Sequence, residues 1–132
     1  MTMPDWHPVA LAFEVTEDRG APVDGHNLSI TSVVRDDYGI RVNYEIVPPL
    51  VSAVFGPGGV AADDLGNRYE DAGGTFGLDP DRGRTDGALT MPLPAFGASR
   101  LVVRFRWDEL DSLWEGRAHE LRIALTGQAE TP

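Results

Sequence analysis

Hydrophobic and polar residues alternate with period two along much of the chain. Ile40, Val42, Tyr44 and Ile46 are separated by Arg41, Asn43 and Glu45. Successive side chains on a strand point to opposite faces, so this spacing predicts a half-buried strand over 39–47. Leu101, Val103, Phe105 and Trp107 repeat the pattern against Arg104 and Arg106. Leu121, Ile123 and Leu125 repeat it around Arg122, and Val9, Leu11, Phe13 and Val15 near the start of the chain. Leu28, Ile30 and Val34 give a further strand, and Leu89, Met91 and Leu93 another. Pro92 and Pro94 place that last strand at a sheet edge, where a missing amide donor does least harm. Residues 50–70 read as a short strand, a turn at Gly56–Gly59 and a hairpin with its tip near Leu65-Gly66-Asn67. The Gly- and Asp-rich stretch 71–87 has little periodicity and reads as a long loop.

One segment has helical spacing. Leu110, Leu113 and Trp114 follow Asp108 as N-cap and precede Gly116, which predicts a short helical turn near 108–115. Six or more short strands between Gly, Pro and Asp turns predict an all-β fold, a sandwich or a barrel. The 132 residues suit one domain spanning 1–132, with 1–7 and 127–132 as loose ends.

Charge and composition narrow the partners. The formal net charge of -10 disfavours nucleic acid and anionic membrane. The chain has no cysteine, which removes disulfides, thiolate zinc sites and cysteine nucleophiles. It also has no lysine, which removes Schiff-base chemistry and a phosphate-loop lysine. No stretch approaches the roughly 20 apolar residues of a membrane span, and no signal-peptide pattern opens the chain. The expected location is cytoplasmic. His7, His26 and His119 lack metal-ligand spacing, no Gly-x-Ser-x-Gly elbow is present, and no cofactor is implied.

Two constellations remain. "RDDYGIRVNY" (35–44) and "ADDLGNRYED" (62–71) share Asp-Asp-x-Gly-x-Arg with a tyrosine behind. Asp accepts from nearby backbone amides and Gly takes a positive φ, so both predict tight turns with solvated carboxylates. The alternative is that Asp36, Asp37, Asp63 and Asp64 converge at one end of the sandwich and hold calcium. A third acidic loop carries Asp79, Asp81 and Asp86, but Arg82 and Arg84 oppose a cation there. The second constellation is a basic face. If the strands at 39–47, 100–107 and 120–126 are neighbours, Arg41, Arg104, Arg106 and Arg122 share their outer surface. Glu45 and Glu120 then interleave as a solvated, salt-bridged pattern. As a function, the same face is a docking surface for an acidic protein partner or for a second copy, since Arg favours interfaces. Strand edges offer another route to self-association.

Asp63, Asp64, Gly66 and Tyr69 form Asp-Asp-x-Gly-x-x-Tyr ahead of the strands at 89–93 and 100–107. This succession, over residues 28 to 126, resembles bacterial immunoglobulin-like accessory domains, which follow membrane anchors in lipoproteins and anti-sigma factors. The resemblance implies an immunoglobulin-like two-sheet antiparallel sandwich of seven to eight strands and a non-catalytic interaction role, and it transfers no functional residues. The expectation is therefore a protein-binding or assembly module, with a calcium-stabilised module as the alternative and a small hydrolase without a recognisable motif third.

Overall fold

The computed structural model describes residues 9–18, 27–49, 58–106 and 119–125. Ten strands form there: β1 (Val9–Ala10), β2 (Phe13–Asp18), β3 (Asn27–Arg35), β4 (Ile40–Val47), β5 (Gly58–Asp63), β6 (Arg68–Glu70), β7 (Gly74–Asp79), β8 (Arg84–Met91), β9 (Arg100–Arg106) and β10 (His119–Ala124). They make two five-stranded antiparallel sheets, ordered β1-β3-β4-β8-β7 and β2-β10-β9-β5-β6. The expected helical turn near 108–115 and Trp107 lie outside the described residues.

The alternation defines the core. Ile40, Val42, Tyr44 and Ile46 are buried from β4, and Leu101, Val103 and Phe105 from β9. Leu121, Ile123 and Leu125 join them from the last strand and its end, with Leu89 and Met91 from β8. Tyr44 and Phe105 meet across the two sheets edge to face, with ring centroids 5.9 Å apart and planes at 84°. An edge-to-face pair sets the positive ring edge against the negative face of its neighbour, which locks the sheets in register beyond simple burial.

Four departures from the alternation have local causes. Valines 33 and 34 exchange roles: the register of β3 against β4 shifts between Ile30 and Ser32. One extra residue in a strand moves everything after it to the opposite face, so Val33 is buried and Val34 only half-buried. The first strand divides into two. β1 pairs with β3, Leu11 is buried, and β2 pairs with β10 in the other sheet. The proline-bearing strand is central: β8 lies between β4 and β7, and Pro92 and Pro94 follow its last residue. Stretch 71–87 is largely strand, with β7 and β8 forming a hairpin closed by residues 80–83. Its low hydrophobicity reflects what β8 packs against. Gly87 lies beneath the Tyr44 ring, where a Cβ would collide with the ring carbons, and buried Thr85 takes another inward position.

β6 and β7 run on in the same direction but belong to different sheets. Asp71 marks the crossing. Its Oδ2 accepts from Gly59 N–H at 2.9 Å on the β5 side, and its Oδ1 accepts from Gly73 N–H at 3.0 Å. Ala72 and Gly73 then bond to Thr90 of β8.

Candidate functional site

The two Asp-Asp-x-Gly segments both form hairpin turns at the same end of the sandwich, together with connection 92–99. They differ in how they spend their carboxylates. In the first, Asp36 Oδ1 accepts from Tyr38 and Gly39 N–H at 2.8 and 3.1 Å, on an exposed turn with Asp37 outside it. In the second, Asp63 is only 8% exposed. Its Oδ1 accepts from Leu65 and Asn67 N–H at 2.8 and 2.9 Å; its Oδ2 accepts from Asn67 Nδ2 at 2.9 Å and from Tyr69 OH at 2.6 Å. Burial alone would raise the Asp63 carboxyl. The four donors outweigh it and bring it down to about 2. The Tyr69 hydroxyl is pushed up by desolvation and by its bond to Asp63.

The clasp continues outward. Tyr69 OH accepts from Ala95 N–H at 2.8 Å. Asp64 Oδ1 accepts from Ser99 and Arg100 N–H at 2.9 and 3.2 Å, and its Oδ2 from Ser99 Oγ at 2.6 Å. Those bonds, led by the Ser99 hydroxyl, hold the Asp64 carboxyl below its ordinary range. Both oxygens of Asp63 and of Asp64 are thus occupied by protein donors. Among the described residues no group of three or more His, Asp or Glu is placed to hold a metal ion.

This clasp holds a surface. β6 has only three residues, too few to stay paired unaided. Asp63 and Tyr69 fix it at one end and Asp71 at the other. Its register with β5, β9 and β10 then arranges two rows across the outer face of the second sheet. One row reads Glu70, Val60, Arg104, Glu120; the next reads Arg68, Ala62, Val102, Arg122. Apolar Val60, Ala62 and Val102 form the floor of an open depression of about 710 Å³, walled by Arg68 and Glu70 on one side and Arg104 and Glu120 on the other.

Charge on this face is only partly ion-paired. Arg104 pairs with Glu120, Nη2 to Oε2 at 3.2 Å, with the arginine side chain 58% exposed and the glutamate 16%. Arg68 and Arg122 are exposed and have no ion-pair partner among the described residues. The row through Arg122 continues to Glu14 on β2, so Arg68, Arg104 and Arg122 share this face with Glu14, Glu70 and Glu120, and the three arginines are locally balanced on a chain of net charge -10.

The four sequence-predicted arginines are divided by the fold. Arg104 and Arg122 share this face on adjacent strands. Arg41 lies on β4 in the opposite sheet, 3.9 Å from Asp36. The assumption that β4 neighbours β9 therefore fails, because the chain crosses between sheets after β4. Arg106 pairs its backbone with Gly58 at the far end of β9, and its side chain lies outside the described part. The outer face of the first sheet carries the salt-bridged pattern: Arg84 Nη1 to Glu45 Oε2 at 3.0 Å, Arg84 Nε to Asp86 Oδ1 at 2.8 Å, and Asn43 Nδ2 to Ser32 Oγ at 2.8 Å. In the third acidic loop Asp79 lies 3.6 Å from Arg82.

Sequence reasoning passed over Arg68 and Glu70, because a three-residue strand has too little alternation to register. The available signal was the acceptor and its donors: Asp63, Asn67 and Tyr69 at intervals of four and six. Among the described residues no helix is long and apolar enough to cross a membrane. Comparison with protein-family models, with curated proteins and with solved structures finds no match.

Proposed function

We propose that the chain is a non-catalytic, immunoglobulin-like protein-interaction domain that docks an acidic partner segment on the outer face of β6, β5, β9 and β10. Connectivity supports the immunoglobulin-like part. Labelling β3 to β10 as A, B, C, C′, D, E, F and G turns the sheet orders into A-B-E-D and G-F-C-C′, the arrangement of immunoglobulin domains. β1 and β2 add a leading strand shared between the sheets.

The observation that carries the binding reading is an apolar floor beside two exposed arginines without an ion pair among the described residues: Arg68 in its wall, and Arg122 across from Val102 on β10. Val60, Ala62 and Val102 offer area to bury, and Arg68 and Arg122 offer planar donors for carboxylates. Titration of the labelled protein with an Asp- and Glu-rich peptide bearing Leu and Phe tests this. The expected result is amide shifts centred on residues 60, 62 and 102, weakened by salt and at least about tenfold by a combined Arg68→Glu and Arg122→Glu change. Equal binding by that variant, or shifts confined to the face of Arg41 and Arg84, overturns it.

A further inference from the structure

Among the described residues each sheet ends in two edge strands, and three of those four edges are guarded. β1 has two residues. β6 has three, of which the first and last are the charged Arg68 and Glu70. β2 carries Glu14, Glu17 and Asp18. Short length and charge are the usual devices that stop an edge from templating another strand. β7 has neither. It runs six residues, Gly-Thr-Phe-Gly-Leu-Asp, with no ionisable side chain before Asp79.

The pairing of β7 with β8 fixes which backbone groups it leaves open. Thr90 N–H donates to Gly73 O, so position 73 is bonded inward. Alternation then turns 75, 77 and 79 toward β8, and leaves the amides and carbonyls of Gly74, Phe76 and Leu78 on the open edge. The side chains of those same positions point to the apolar side of the sheet. β6 stops at Glu70, so the second sheet does not cover them fully: Leu78 is 47% exposed and Phe76 half-buried.

We infer that β7 is the seam of a symmetric homodimer, in which it pairs antiparallel with β7 of a second copy and joins two five-stranded sheets into one. The strand is complementary to itself. With Phe76 on the two-fold axis, Phe76 faces its own copy, and Gly74 and Leu78 face each other in both directions. Every open donor of one strand then meets an open acceptor of the other. The aromatic pair is flanked diagonally by the two leucines, a favourable cross-strand combination. Closed two-fold pairing of one patch with itself is the commonest route to a homo-oligomer. The inference is independent of the arginine face, which lies on the other sheet.

A seam this short belongs with weak interfaces, in the range of roughly 10 µM to 1 mM. Each copy has net charge -10, so repulsion opposes association and added salt strengthens it, the reverse of the acidic-peptide binding proposed above. Sedimentation velocity of the full chain across that range, at low and high salt, is the test. A monomer–dimer equilibrium tightened by salt is expected. Leu78→Lys, at an already exposed position, should weaken it at least about tenfold, while Leu65→Lys in the β5–β6 turn, which makes the same charge change, leaves it unchanged. Because the chain has no cysteine, Phe76→Cys gives a second readout: oxidation should yield a covalent dimer as the symmetric pair requires. A chain that stays monomeric throughout, a dimer indifferent to Leu78→Lys, or Phe76→Cys that fails to cross-link where wild type associates, overturns the inference.

Discussion

Asp63 shows how one carboxylate sets a loop, an edge strand and a neighbouring connection. Removing it leaves Leu65 and Asn67 N–H and the Tyr69 hydroxyl without their acceptor, a loss of three partly buried hydrogen bonds. Asp63→Ala should lower the melting temperature and free β6. Tyr69→Phe should do less, losing the bonds to Asp63 and to Ala95 while keeping the ring. The pH dependence follows in sign. The folded carboxyl is depressed to about 2 from an ordinary value near 3.8, so ionisation favours the fold. That contribution is complete above the ordinary value and is lost as pH falls through about 2. Melting followed between pH 5 and 2 should show a decline that Asp63→Asn flattens. Tyr44 acts at the other extreme. Desolvation raises its hydroxyl from 10.0 to about 12, so the folded state holds a proton the unfolded chain releases. Its contribution is complete below pH 10 and fades as pH rises toward 12. Tyr44→Phe should remove that alkaline loss and preserve the contact with Phe105.

At the scale of the element, legibility depended on how evenly a strand divides between core and solvent. β4, β9 and β10 alternate without interruption, and their inward residues are the buried ones. β3 was legible only up to its bulge, because an extra residue leaves no mark in composition. β7 and the start of β8 were illegible. Gly87 takes an inward position because Tyr44 fills the space above it, so a large residue on one strand is matched by an absent side chain on its neighbour. Gly87→Ala tests this. The added methyl forces Tyr44 off its packing and should cost about 1–3 kcal/mol in chemical denaturation, with a diminished effect in a Tyr44→Leu background. The basic face was half legible: Arg104 and Arg122 lie together because consecutive strands form a hairpin, whereas the separation of Arg41 depends on a sheet crossing that side-chain order does not record.

For the whole molecule, the question is what the shared end of the two Asp-Asp-x-Gly turns is for. Calcium needs six to eight oxygens with free lone pairs. Asp63 and Asp64 give both oxygens to protein donors, and Asp36 gives one to its own turn and sets the other 3.9 Å from Arg41. To bind a cation, the end would have to break the clasp that holds β6 against β5, and with it the wall of the depression. Ligand binding there would oppose folding instead of adding to it. Millimolar calcium should therefore leave the melting temperature where chelator leaves it, in wild type and in Asp36→Asn alike. A calcium-dependent rise of several degrees, abolished by Asp63→Asn, would show that these oxygens exchange their donors for a metal. The same experiment bears on the docking face: if the clasp is purely structural, Asp71→Ala should raise hydrogen exchange at residues 68–70 and weaken acidic-peptide binding together. Positioning of Arg68 depends on both ends of a strand too short to hold itself.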